Sequence, residues 1–260
     1  MKGFFATFFA VLIVLVLAIL NAPASLVPMA LQEVEARGLL QPGAPKLTLS
    51  QTSGTVWEGE AAQAVLLVDG VPLALGKLSW QLSLMSLLEK NPSLQLFAQA
   101  ADHQLQALIS ATEQGEVTIR HIEGNLPISL LEPWFPMLIK GEVAFVIDHL
   151  VFDPRQLLAL DGVLNFEYVD WLGGEYDIPL GSYLVQLSLD DKKNIMLQLN
   201  DFSATLGIDG FVLISQQGSY HFNATLFPRE NLAPEIAQSI TWFGKKDEQG
   251  NVRINKRGHF

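Results

Sequence analysis

The sequence predicts a mainly β protein: an N-terminal single transmembrane helix, then an antiparallel, strongly twisted or rolled β-sheet domain with one or two short helices. Three observations predict it. Residues 4–20 are apolar except for Thr7. From Leu47 onward, apolar and polar residues alternate with a period of two in one segment after another, as strands with one buried face require. Turn-forming pairs separate those segments: Asp69-Gly70, Gln114-Gly115, Asp161-Gly162, Gly173-Gly174, Asp190-Asp191 and Gln217-Gly218.

The apolar run comes first. At about 1.5 Å per residue a helix of this length reaches roughly 26 Å, just enough for a bilayer core. Phe4, Phe8, Leu12, Leu15 and Leu20 are among its anchoring residues. Lys2 precedes the run, and no basic residue follows until Arg37, after Glu33 and Glu35. The positive-inside bias therefore puts residues 1–3 in the cytoplasm, 4–20 in the membrane and the rest beyond it. The competing reading is a cleaved signal peptide, since Ala22-Pro23-Ala24 has a small-x-small pattern. The run exceeds the signal-peptide core of about 7–15 residues, so a retained anchor is expected. Both readings export the body.

Residues 21–46 read as a juxtamembrane helix and linker. The helix is expected over 27–37, with Pro28 in its first turn and Gly38 as its stop; residues 41–45 carry the turn chemistry of a linker. Residues 47–260 form the β-rich domain. Alternation runs through residues 78–84, then through Leu94, Leu96, Ala98 and Ala100 with Phe97 out of pattern. It continues through Leu105–Ala111, Tyr183–Leu189 and Ile195–Leu199, and is cleanest where Tyr220, Phe222, Ala224 and Leu226 oppose Ser219, His221, Asn223 and Thr225. Such one-sided strands belong to antiparallel meanders. Residues 141–148 and 162–168 resemble each other, a glycine before an extended apolar stretch, as a β repeat would. Helical signal is confined to one turn over 127–131 and a helix over 231–240, with Asn231 as a possible cap and Pro234 in its first turns. One continuous rolled sheet is the simplest architecture; a two-sheet sandwich is the alternative.

Composition excludes several functions. Apolar residues make up 49% and charged residues 17%, too apolar for a disordered chain. The absence of cysteine rules out thiolate metal sites and cysteine nucleophiles. The net charge is −11, yet the tail holds Lys245, Lys246, Arg253, Lys256 and Arg257 against Asp247 and Glu248. The acidic body repels phosphate backbones, so no nucleic-acid partner is expected. The basic tail reads as a solvated terminal hairpin, or else as a contact for anionic headgroups or an acidic partner. None of His103, His121, His149, His221 and His259 has the helical spacing of a zinc protease, and His221 is expected to face solvent. Phosphate-binding, dinucleotide-binding and serine-elbow motifs are missing. The expectation is no catalytic residue, no metal and no cofactor. Asn223-Ala224-Thr225 is a formal glycosylation sequon placed mid-strand.

One cluster is distinctive. Gly54, Val56, Trp57, Gly59 and Ala61 stand in Ser53-Gly54-Thr55-Val56-Trp57-Glu58-Gly59-Glu60-Ala61, and Gly76 and Trp80 in Leu75-Gly76-Lys77-Leu78-Ser79-Trp80. Locally this reads as two strands with glycine bulges and two core tryptophans. The motif, with the short N-terminal anchor and the basic, glycine-containing end at residues 250–258, resembles protein N of the bacterial type II secretion system over essentially the whole chain. The resemblance implies a single-pass inner-membrane protein of Gram-negative bacteria, N-terminus cytoplasmic and bulk periplasmic, that assists export of folded periplasmic proteins across the outer membrane. It implies other inner-membrane components of the system as partners, with membrane lipid touched through the anchor. Trp57, Trp80 and the glycines are carried over as structural motif positions. A second reading is a periplasmic lipid-binding or lipid-transfer module of AsmA-like type, which a rolled sheet with an apolar inner face resembles in architecture.

Overall fold

The computed structural model describes residues 17–38, 44–112, 116–133, 138–153, 156–173 and 176–259. Phe4, Phe8, Leu12 and Leu15 of the expected anchor lie outside the described residues, as do Gln114-Gly115 and Gly174. Residues 17–20, the end of the expected span, are helical, and Leu20 is exposed. Among the described residues no helix is long and apolar enough to cross a membrane. The chain divides into two compact units, Met1–Gln104 and Leu105–Phe260.

The first unit holds α1 (Leu26–Ala36), β1 (Lys46–Gly54), β2 (Glu58–Val68), β3 (Val71–Leu82), α2 (Leu84–Leu88) and β4 (Ser93–Gln99). The strands neighbour one another in chain order, as a meander does. Asp69 and Gly70 join β2 to β3 with φ of +50° and +81°. Positive φ at both central residues matches the right-handed twist of the strands, and Val68 pairs with Val71 directly behind the turn. α1 occupies the expected segment, and Gly38 follows it at φ +64°. Leu84 departs from expectation: Ser83 accepts the Ser86 N–H at 3.3 Å as an N-cap, so β3 stops at Leu82 and α2 begins. Leu49, Ala61, Ala64, Leu75, Leu78, Trp80 and Ala98 are buried, and Phe97, out of the alternation, is exposed.

The second unit holds β6 (Val117–Pro127), a 3-10 turn (Ile128–Leu131), β7 (Ile139–Phe152), β8 (Leu157–Trp171), β9 (Ile178–Leu189), β10 (Ile195–Ala204), β11 (Leu206–Ile214), β12 (Ser219–Pro228), α3 (Pro234–Ser239), β13 (Lys245–Lys246) and β14 (Val252–His259). β5 (Gln104–Ala111) opens it at the boundary. Strand order again follows the chain until β14 inserts between β12 and β13. The ladders of both units run antiparallel. Strands paired in chain order favour the meander expected from the alternation.

Register decides which residues share a face, because directly opposed residues project to the same side. Gly124, Phe145, Leu164, Val185, Leu199, Gly210, Ala224 and Ile254 form one row across β6 to β14. The neighbouring row on that face runs Ile122, Ile147, Gly162, Leu187, Leu197, Val212 and Phe222, ending at Lys256. The opposite face carries Asn125, Asn165, Asn200, Asp209, Thr225 and Arg253 on one row. The apolar face is sealed in two places. Ile128 of the 3-10 turn packs with Val143 and Val169, and Leu232, Ile236 and Ile240 pack with Leu226, Val252 and Ile254. Away from these lids Ile122, Ile147, Leu187, Leu197 and Val212 are only half-buried. Among the described residues Val252 is the one large side chain that is completely enclosed.

Some sequence expectations are corrected here. Asp161-Gly162 is not a turn: both sit inside β8, and Gly162 pairs with Ile147 beside a register shift in β7. A Cβ on Gly162 would lie 2.9 Å from the Val146 carbonyl oxygen, so glycine serves close strand approach there. The reversal is closed by Asp153, whose carboxylate accepts the Gln156 N–H at 2.9 Å. The resembling segments at 141–148 and 162–168 are the two arms of this hairpin, with Val143 opposite Phe166 and Phe145 opposite Leu164. The helix expected over 231–240 begins at Pro234, and Asn231 is not its cap. Proline holds the preceding Ala233 extended, and the last turn is a separate 3-10 turn, Ile240–Trp242. His221 is half-buried rather than solvent-facing, edge-on to Phe211 with ring centroids 5.5 Å apart.

Candidate functional site

The distinctive motif folds into a joint. β1 ends at Gly54 and β2 starts at Glu58, so Thr55, Val56 and Trp57 form the loop between them. The loop closes on itself: the Thr55 N–H donates to the Glu58 carbonyl at 2.8 Å. Its outer edge holds the chain segment just after residues 17–20. Ala24 N–H donates to the Gly54 carbonyl at 3.0 Å, and Val56 N–H donates to the Ala22 carbonyl at 2.9 Å. Pro23 and Thr55 form an isolated antiparallel bridge. The Trp57 indole N–H donates to the Ile19 carbonyl at 2.8 Å. The Ile19 carbonyl also accepts the Ala22 N–H at 3.2 Å, so Trp57 adds a second donor at the helix end.

The remaining motif residues support that loop. Trp80, 6% exposed on β3, donates its indole N–H to the Val56 carbonyl at 3.1 Å. Gly59 lies beneath the ring: a Cβ there would be 2.6 Å from Trp80 Cζ2 and 2.7 Å from the Thr55 oxygen. Gly54 has φ +89° and its missing Cβ would meet the Glu58 carbonyl at 2.6 Å. Gly76, φ +73°, pairs with Ala64 where the β2–β3 ladder shifts register, and its missing Cβ would strike the Gln99 carbonyl on β4. Ala61 is fully buried, and Val56 and Trp57 are half-buried. The expected pair of core tryptophans is thus half right: Trp80 is core, and Trp57 is a loop clamp. Leu20, within the segment expected to anchor the chain, directly follows the clamped Ile19.

A second polar cluster lies at one end of the apolar face. Tyr183 on β9 donates its hydroxyl to the Leu206 carbonyl at 3.0 Å, and burial, with the nearby Asp201 charge, pushes the phenol well above its ordinary range. Asp201, its side chain 7% exposed, is held by Arg229 at 2.6 Å and accepts the Ile208 N–H at 3.0 Å. Every member is satisfied, as a buried network must be. Two turns share one plan. Asp190 accepts N–H groups of Lys192 and Asn194 at 2.8 Å. Asp247 accepts those of Gln249 and Asn251 at 3.0 and 2.9 Å. The Asn194 N–H and side chain hold the Asp190 carboxyl below its usual value. For Asp247 burial pulls upward, but the Asn251 bonds outweigh it and the carboxyl is also lowered.

Among the described residues no three histidine or carboxylate side chains converge in a way that could hold a metal ion. What sequence reasoning missed is the object the motif grips: the Ile19, Ala22 and Ala24 backbone leaves no side-chain signature.

Comparison with known proteins places this geometry. Residues 45–255 match the family described as type II secretion system, protein N. A type II secretion system protein N from Klebsiella pneumoniae is 26% identical over 253 residues, covering 93% of this chain and 90% of the relative. One from Aeromonas hydrophila is 25% identical, covering 81% and 83%; one from Vibrio cholerae serotype O1 is 21% identical, covering 82% and 84%. No solved structure gives a significant match.

Proposed function

This chain belongs to the type II secretion system protein N family, and on that premise we propose that it is a non-enzymatic inner-membrane component of the system, assisting export of folded periplasmic proteins across the outer membrane. The family match over residues 45–255 carries the reading. The apolar run before residue 20 and the joint behind it support a single-pass placement, N-terminus in the cytoplasm and bulk in the periplasm. Its partners are other inner-membrane components of the system, with membrane lipid around the anchor. The motif residues Gly54, Val56, Trp57, Gly59, Ala61, Gly76 and Trp80 have a mechanical role, coupling the membrane segment to the sheet. Deleting the gene in a strain with a working pathway is expected to lower export of several substrates; unchanged export of all of them would oppose the proposal.

The half-covered apolar face supports a second reading, a lipid-binding module. Ile147, Leu187, Leu197 and Val212 are half-buried on one continuous face, where an acyl chain would complete the burial. Native mass spectrometry of the full chain should then find copurified phospholipid; consistent absence of lipid would remove this reading.

A further inference from the structure

We propose that the C-terminal hairpin is a docking surface for an anionic phospholipid bilayer. Trp242 is 83% exposed and Phe243 56% exposed, side by side at the end of the 3-10 turn. An exposed tryptophan of this degree needs a reason, because its large ring usually covers apolar surface. Loose packing is not that reason. Ile240, two residues before Trp242, is 4% exposed, and Val252 and Ile254 behind the hairpin are 0% and 6% exposed. The two rings therefore stand on a fixed base.

Cations lie on the same hairpin. Lys245 and Lys246 follow within three residues and are exposed, as are Arg253, Lys256 and Arg257 on β14. Lys245 pairs with Arg253 across the ladder, which sets two like charges side by side on one face. An open cleft of about 580 Å³ is lined by Phe243, Lys245, Lys246, Arg253, Asn255 and Lys256, among others. Among the described residues no ion pair engages Lys245, Lys246, Lys256 or Arg257. Asp247 also lines the cleft, where its carboxylate accepts the Gln249 and Asn251 N–H groups and feels the Arg253 charge. In a chain of net charge −11, residues 244–260 carry five cations against the carboxylates of Asp247 and Glu248, a local excess of positive charge.

Chemistry selects the occupant. Tryptophan favours the headgroup level of a bilayer, and basic clusters are drawn to anionic lipid surfaces. Protein interfaces also take tryptophan, but they deplete lysine, and lysine leads this patch. The proposal is independent of the secretion reading: it needs a membrane within reach and no other component of the machine.

The absence of cysteine gives a clean test. The full-length Phe243→Cys chain, labelled with an environment-sensitive dye, is reconstituted into vesicles of phosphatidylcholine alone or mixed with phosphatidylglycerol. Dye emission should shift to the blue and become quenchable from within the bilayer only with phosphatidylglycerol, and salt should reverse both changes. Replacing Lys245, Lys246, Lys256 and Arg257 together by glutamate should abolish them. A label at Trp242→Cys repeats the measurement at a second position, and circular dichroism checks that each variant is folded. Identical emission in the two vesicle types, or an unchanged response after charge reversal, would overturn the proposal. So would the outcome expected of an acidic protein partner, a dye that stays in water with either lipid. None of these results bears on export, so the two proposals fail separately.

Discussion

Trp57 donates its indole N–H to the carbonyl oxygen of Ile19 at 2.8 Å, across 38 positions of sequence. The bond ties the end of a helical segment to the loop between two strands, and backbone bonds from Ala24 and Val56 run beside it. Several parallel connections therefore link that segment to the β1–β2 loop.

Trp57→Phe keeps an aromatic ring and removes the donor. A neutral hydrogen bond contributes about 0.5–1.5 kcal/mol net, so a loss of that size is expected, concentrated at the joint. Hydrogen exchange should show faster exchange at the Ala24 and Val56 amides and little change in β9 to β12. Unaltered exchange at those two amides would mean that the indole holds nothing in place.

Gly59→Ala places a methyl group 2.6 Å from the Trp80 ring and 2.7 Å from the Thr55 oxygen. Overpacking of this kind costs about 1–3 kcal/mol. The thermal midpoint should fall, and the near-ultraviolet circular dichroism of the tryptophans should change because the Trp80 ring must move. Gly70→Ala, where the added methyl meets nothing within 4 Å, should leave that spectrum as it is.

Tyr183 sets a limit at high pH. Its folded pKa lies above the unfolded value of about 10, so above that pH the unfolded state sheds a proton that the folded state keeps. The unfolded state then binds fewer protons, and stability falls as pH rises from about 10 toward the folded value. Tyr183→Phe should lose the hydroxyl bond to Leu206 at neutral pH and flatten this alkaline decline, as denaturant midpoints taken at a series of pH values will read.

The Asp190 and Asp247 turns act at the other end of the scale. Both carboxyls have depressed values in the fold. Their contribution is present above the unfolded carboxyl value of about 3.9 and is lost as pH falls through the folded one. Asp190→Asn should weaken the protein at neutral pH, and the difference from the parent chain should vanish once both are acidified past the folded value. A gap that persists in acid would point to a role other than charge.

Much of this was legible from pattern. The alternation at residues 219–227 fixes β12 because a period of two permits one arrangement of faces, and Asp69-Gly70 declares a two-residue turn because both residues tolerate positive φ. Asp161-Gly162 misled because the same glycine that opens a turn also admits a neighbouring strand, and only the register with Ile147 tells them apart. The helix near Pro234 came out short because proline constrains the residue before it. Trp57 looked like core because a tryptophan read into a strand is expected to bury its ring; its partner is a backbone oxygen, which no side-chain pattern reports. The exposure of Trp242 and Phe243 was hidden for a similar reason: Ile240, close by in sequence, does turn inward.

The central claim is tested most directly by following one folded secretion substrate in a strain lacking this gene, measuring its partition between periplasm and medium, with the gene returned on a plasmid as the comparison. Folded substrate should accumulate in the periplasm of the deletion strain, and the returned gene should restore its release. An unchanged share of substrate in the medium when the chain is absent would contradict it.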